Sequence, residues 1–241
     1  QYWNPAKYAF TESRGGLAIS YTPWLRKLVN DINLAYVAGY WKFGRYGNDP
    51  QALSATLRYF SLGSITQTDE GGNVTNSVNP YEMALDLAYS RKLTKSFSMA
   101  VALRFIYSDL GYSTDGSSDV KGAAAFAADI AGYQTLYPIV GRSECQWSWG
   151  FNISNIGTKV SYDGGANTAY LPANLRLGTT FKFPVADYHT LAINLDLNKL
   201  MVPTKPLESS YLDAEGKVDG EAYQEALDDY YNMSSFKGIF K

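Results

Sequence analysis

The chain has 241 residues, with 21 Lys and Arg against 23 Asp and Glu and no basic cluster, which argues against nucleic acid as a partner. It is 46% hydrophobic and 15% aromatic, yet its mean hydropathy is only -0.23, and no run approaches the roughly 20 apolar residues of a membrane helix. The one cysteine, Cys145, has no internal disulfide partner and reads as a small buried or lipid-facing residue.

Gln1 to Gly16 (QYWNPAKYAFTESRGG) shows no alternation and ends in a Gly pair. It is either a frayed leader or a plug, and Trp3, Tyr8 and Phe10, which need burial, favour the plug. From Leu17 the apolar residues recur at every second position, the period of extended chain. This predicts about nine strands: 17–24, 31–43, 51–63, 79–90, 97–109, 121–133, 145–156, 171–183 and 189–200.

The clearest pair is the hairpin between Asn79 and Leu110. Tyr81, Met83, Leu85, Leu87 and Tyr89 share one face of its first arm, and Met99, Val101, Leu103, Phe105 and Tyr107 one face of its second. Opposite them lie Glu82, Ala84, Asp86, Ala88 and Ser90, then Ala100, Ala102 and Arg104. Leu177 and Leu195 continue the apolar face further along, and Arg176 and Asp196 the polar one. Each arm holds about eleven alternating residues, whereas strands of soluble domains average about five or six and a strand crossing a bilayer needs about nine to eleven. Aliphatics in mid-strand with tyrosines at both ends match a lipid-facing band between aromatic girdles. The expected class is all-β: a transmembrane antiparallel barrel over 17–200, with 1–16 as its plug.

Connection lengths set the orientation. Segments 44–50, 91–96, 134–144 and 184–188 are mostly short, whereas 64–78, 110–120 and 157–170 are longer and rich in Gly, Asp, Asn and Ser. Short periplasmic turns and long outer loops make the first strand run outward. An odd number of strands does not close a bacterial barrel, so the barrel is expected to continue beyond this chain. No signal peptide opens the sequence, so Gln1 is read as lying within a mature, exported protein. The remainder, 201–241, reads as a long outer loop carrying a short acidic helix capped by Asp219. The helix reads first as a solvated element lying over the barrel mouth; in the alternative it docks a partner, and Tyr223, Leu227, Tyr230 and Tyr231, which share a face, are then the candidates for that contact.

No catalytic constellation is legible. The one histidine, His189, stands at a turn without triad partners, and no metal-ligand spacing or phosphate-binding Gly-rich loop is present. The expectation from the residues is therefore a stretch with no legible active site and no cofactor. The lumen charges say more. A symmetric 91–96 turn places Arg104 opposite Ala84 and diagonal to both Glu82 and Asp86. A 184–188 turn centred on Ala186 makes Arg176 face Asp196. Cross-strand pairs of opposite charge suit a filled, ion-paired interior rather than an open pore.

Asn4-Pro5-Ala6, the run LAYSRKLTKSFSMAVALRF (87–105), NISNIGTKVSYDG (152–164) with LPANLRLG (171–178), and LDLNKLMVP (195–203) together resemble the FadL-like outer-membrane proteins of Bacteroidota. Within that group the likeness is nearest to the PorV family of the type IX secretion system. The resemblance implies a barrel of about 14 strands with an N-terminal segment in its lumen, in the bacterial outer membrane and in contact with its lipid. It also implies a shuttle that binds the C-terminal signal domain of secreted cargo, takes it from the translocon barrel (SprA or Sov) and delivers it to the attachment complex of the sortase PorU. The alternatives are a FadL-like transporter of hydrophobic small molecules, which needs an apolar lumen pocket, and a purely structural barrel.

Overall fold

The computed structural model describes residues 3–24, 27, 31–44, 50–69, 71–110, 122–162, 165, 168–212 and 218–239. Nine long strands form a single antiparallel sheet in which each pairs with the next along the chain. They are β1 Gly15–Pro23, β2 Ile32–Phe43, β3 Gln51–Leu62, β4 Tyr81–Lys92, β5 Phe97–Asp109, β6 Ala123–Leu136, β7 Gln146–Gly157, β8 Asn174–Ala186 and β9 His189–Leu200. β1 and β9 form its edges, and no strand among the described residues pairs with the outer side of either. Among the described residues helices are few: a 3-10 helix at Pro5–Phe10, α1 at Gly220–Asn232 and α2 at Ser235–Gly238, besides a 3-10 turn at Glu208–Ser210. Among the described residues, no helix is long and apolar enough to cross a membrane.

All nine predicted strands are present, and their ends differ for local reasons. β1 starts at Gly15, two residues early, because Gly15 and Gly16 lie beneath the rings of Trp41 and Tyr40, where a Cβ would come within 2.9 and 2.5 Å. Segment 134–144, too long for a simple turn, consists of the end of β6 and a two-residue hairpin, Ile139–Val140 with Ser143–Glu144, that turns at Gly141 with φ 66°. The loop 64–78 is itself a hairpin, Ile65–Thr68 with Val74–Val78. In 157–170, Lys159–Val160 pairs with Ala169–Tyr170. The predicted loop at 110–120 and turn at 44–50 lie almost wholly outside the described residues.

The two faces of the sheet have the polarity of a soluble protein turned inside out. Leu85, Leu87, Leu103, Leu177 and Leu195 are all exposed, Leu103 at 65%, and Phe105 is half-buried against Phe126. Ala88, Ala100, Ala102, Asp86, Ser90 and Arg104 lie on the opposite face and are buried. The N-terminal segment covers that face. Ala6 packs with Ala100 and Ala131, beside Tyr133, and the small side chains let the 3-10 helix approach closely. Asn4 closes the start of this helix by accepting the Ala6 amide at 3.0 Å, while its Nδ2 donates to Gly132 O (2.9 Å) and Phe151 O (3.3 Å). The Ser98 hydroxyl donates to Ala6 O at 2.7 Å, Asn152 Nδ2 to Trp3 O at 2.9 Å, and Lys42 Nζ to Thr11 O. Asn4-Pro5-Ala6 thus works as one docking unit: anchor, helix start and close contact.

Candidate functional site

The polar face carries one compact charge cluster. Arg104 on β5 donates from Nε to Asp86 on β4, from Nη2 to Asp129 on β6 (3.0 Å), and from Nη1 to Asn155 on β7. Thr56 adds a hydroxyl to Asp86 at 2.7 Å, and Arg58 stands 3.8 Å from the same carboxylate. Arg104 is 6% exposed and Asp129 3%, so the pairing takes place out of water, where an unpaired charge is costly. The cluster ties five consecutive strands together.

Asn155 has φ 60°, in the left-handed region that asparagine tolerates better than most residues. It occupies a bulge where β7 slips register against β6 between Ile153 and Ile156. Its amide donates to Asp129 Oδ1 at 2.9 Å, and its Nδ2 to Pro172 O at 3.0 Å. The bulge thus supplies a donor and an acceptor to the buried ions.

The register differs from the sequence-based one at both predicted charge pairs. Arg104 faces Asp86 directly, not Ala84, because the turn spans Leu93 to Ser96 and is held by Thr94, whose hydroxyl accepts the amides of Ser96 (3.3 Å) and Phe97 (3.0 Å). Glu82 lies opposite Ser108 and accepts its hydroxyl at 3.3 Å, and does not pair with Arg104. Arg176 faces Asn198, and Asp196 faces Gly178, because β8 and β9 run on to a tight turn at Asp187–Tyr188 with a slip at Val185. No ion pair joins Arg176 to Asp196 among the described residues; the Arg176 guanidinium lies over the Trp3 ring instead, 4.6 Å from its centroid.

The long connections gather at one end of the strands. There the Tyr170 hydroxyl reaches Tyr230 O at 2.8 Å and Met233 O at 2.9 Å, and Lys159 Nζ donates to Tyr231 O at 2.6 Å. Burial among these groups lowers the Lys159 ammonium below the usual lysine range. Of the residues on the predicted partner-binding face, Tyr223 packs on Tyr211 (5.8 Å) and Tyr230 on Tyr170 (5.4 Å). Leu227 is half-buried, and Tyr231 is exposed beside Lys205. Asp31, at the same end, takes the Ser64 hydroxyl and amide at 2.6 Å, which holds its carboxyl below the ordinary range. Asp69 closes the 65–78 hairpin by accepting the amides of Gly71 and Asn73.

His189 opens β9 at the turn, Cys145 is buried, and no group of His, Cys, Asp or Glu among the described residues could hold a metal. Asp129, Asn155, Thr56 and Arg58 were not among the residues singled out from sequence. Two signals point to the first two: Asp129 is the lone acid in AAAFAADIAG, and Ile153 and Ile156, both apolar but three apart, mark the slip at Asn155.

A search of curated proteins finds no match. A family model, type IX secretion system protein PorV, matches residues 1–207, from the N-terminal segment through all nine strands, and both α-helices lie beyond its end. The chain therefore belongs to the PorV family of type IX secretion system proteins.

Proposed function

We propose that the nine-stranded sheet is the greater part of a β-barrel wall in the bacterial outer membrane, of FadL type, closed by further strands along β1 and β9. The single observation behind this reading is the inverted polarity of the sheet: its large aliphatic side chains are exposed on one face, while Asp86, Arg104 and Asp129 are buried on the other. In water, that face would be an aggregation surface; in lipid it is the required one. The aromatic rows fit the same picture. Tyr59 stacks on Tyr81, which also meets the Tyr107 ring, at one end of the apolar face, and Phe43 meets Tyr89 at the other. Tyr81 and Tyr89 are eight residues apart on β4, about 26 Å at about 3.3 Å per residue and about 20 Å after a tilt of about 40°. An outer-membrane barrel carries an apolar band of about 25 Å. Strand edges within lipid leave backbone groups unsatisfied, which is why both edges need partners.

On this reading the protein acts without catalysis, as the shuttle of its secretion system. Its outer loops bind the C-terminal signal domain of cargo released by the translocon barrel (SprA or Sov) and pass it to the complex of the sortase PorU. The end carrying the 65–78 hairpin, the Lys159–Tyr170 hairpin and α1 offers the surface, since a specific complex needs about 1,000 Å² in total. The small side chains and buried charges of the inner face, Asp86, Arg104 and Asp129 among them, speak against a lumen for fatty ligands. Affinity purification of the native protein from membranes tests the role. Co-recovery of cargo signal domains or of a very large translocon barrel supports the shuttle; recovery of fatty-acid-like ligand with no protein partner refutes it.

A further inference from the structure

The N-terminal segment covers the polar face over β2 to β6 and reaches β7 through Trp3 and Asn4. Beside it, toward β8 and β9, lies a groove of about 590 Å³, within the range of small-ligand sites. Its walls include Trp3, Asn152, Arg176, Lys182, Asn194 and Asp196. Three cations line it, Lys7, Arg176 and Lys182, against one acid, Asp196.

Two lining groups have no hydrogen-bond partner among the described residues. Asn152 is 2% exposed, and its Oδ1 accepts nothing although its Nδ2 is used; the Nε of Arg176 is likewise buried without an acceptor. Buried polar groups are almost always satisfied, so an acceptor for Arg176 and a donor for Asn152 are expected in the groove. Water could meet those two needs. It does not account for the surplus of positive charge or for the Trp3 indole, which is 66% exposed while Arg176 lies over its ring. Amide and hydroxyl side chains around an aromatic plate suit a polyhydroxylated ligand, and the cations suit an anionic one. Arg176 and Lys182 are six residues apart on one face, about 20 Å at about 3.3 Å per residue, so the ligand is extended and bears more than one acid group.

We propose that this groove binds a short acidic oligosaccharide, with one carboxylate at Arg176 and its rings passing Trp3 toward Lys182. The inference goes beyond the secretion reading and does not depend on it.

The test uses the full chain purified in detergent, with trigalacturonate as probe, maltotriose as neutral control, and binding read by tryptophan fluorescence. Trigalacturonate is expected to bind saturably and maltotriose at least ten-fold more weakly. Arg176→Gln should weaken trigalacturonate at least ten-fold, and Lys182→Gln, at an exposed position, several-fold with the fold intact. Each variant is compared only where its far-ultraviolet circular dichroism matches that of the parent. No saturable binding, equal binding of maltotriose, or unchanged binding by the correctly folded Lys182→Gln protein overturns the proposal.

Discussion

Replacing Arg104 with Ala takes a shared guanidinium from two buried carboxylates. Asp86 keeps the Thr56 hydroxyl at 2.7 Å and Arg58 at 3.8 Å. Asp129 keeps the Asn155 amide at 2.9 Å but loses the cation 3.0 Å away, so most of the penalty falls there. Removing one partner of a buried pair costs about 3–5 kcal/mol. At about 1.4 kcal/mol per tenfold, that is a hundred-fold or more in the unfolding equilibrium. The assay is urea unfolding of the micelle-embedded protein, followed by tryptophan fluorescence. Arg104→Met with Asp129→Asn should recover more than half of the loss, because the new side-chain amide at position 129 carries no charge and its oxygen can still accept from Asn155, while Asp86 still has Arg58. If Arg104→Ala lies within about 1 kcal/mol of the parent, or the double variant is no better than the single, the cluster does not tie the strands as argued.

Asn4→Ala should free the N-terminal segment from Gly132 and Phe151, losing a helix cap worth about 1 kcal/mol and two further bonds, with cleavage within residues 1–14 by added protease accelerating about ten-fold or more. Tyr170→Phe removes the hydroxyl that reaches Tyr230 O and Met233 O; at about 1 kcal/mol, amide exchange across 220–239 should quicken about five-fold while the strands keep their protection. The Asp31 carboxyl is lowered by its bonds to Ser64, so its support for the 64–78 hairpin is complete above the unfolded value near about 4 and is lost as pH falls through the lower folded value. Proteolysis of that hairpin should therefore be flat from about pH 5 to 8 and rise only below about pH 4, and Asp31→Asn should raise it across about pH 5 to 8, the difference from the parent vanishing at the acid end.

The alternation of faces was legible because side chains on extended chain repeat every two residues whatever the rest of the fold does. Leu85, Leu103, Leu177 and Leu195 needed no more than that to be placed on one side. Register is another matter, since it depends on where a turn is centred. The Thr94 hydroxyl bonds and the slip at Val185 each moved the pairing by two residues, enough to bring Asp86 opposite Arg104 and to leave Arg176 opposite Asn198. A two-residue shift keeps every side chain on its face, so the face assignment held while the partners changed. The role of Asn4 lies in contacts more than a hundred residues away in the chain, with Gly132 and Phe151, which no local pattern encodes. The helix face at 223–231 could be drawn from its spacing, but not that Tyr211 and Tyr170 would meet two of its tyrosines.

A barrel wall of this kind requires that the exposed aliphatic face meet lipid. Spin labels placed singly at Leu87, Leu103 and Leu195, and for comparison at Asn194 on the other face of β9, would be examined in liposome-reconstituted protein carrying Cys145→Ser. Collision with oxygen, which partitions into the bilayer, should exceed collision with a water-soluble nickel chelate at the three leucine positions, and the order should reverse at Asn194. Greater access of the nickel chelate at positions 87, 103 and 195 would place that face in water and contradict the account.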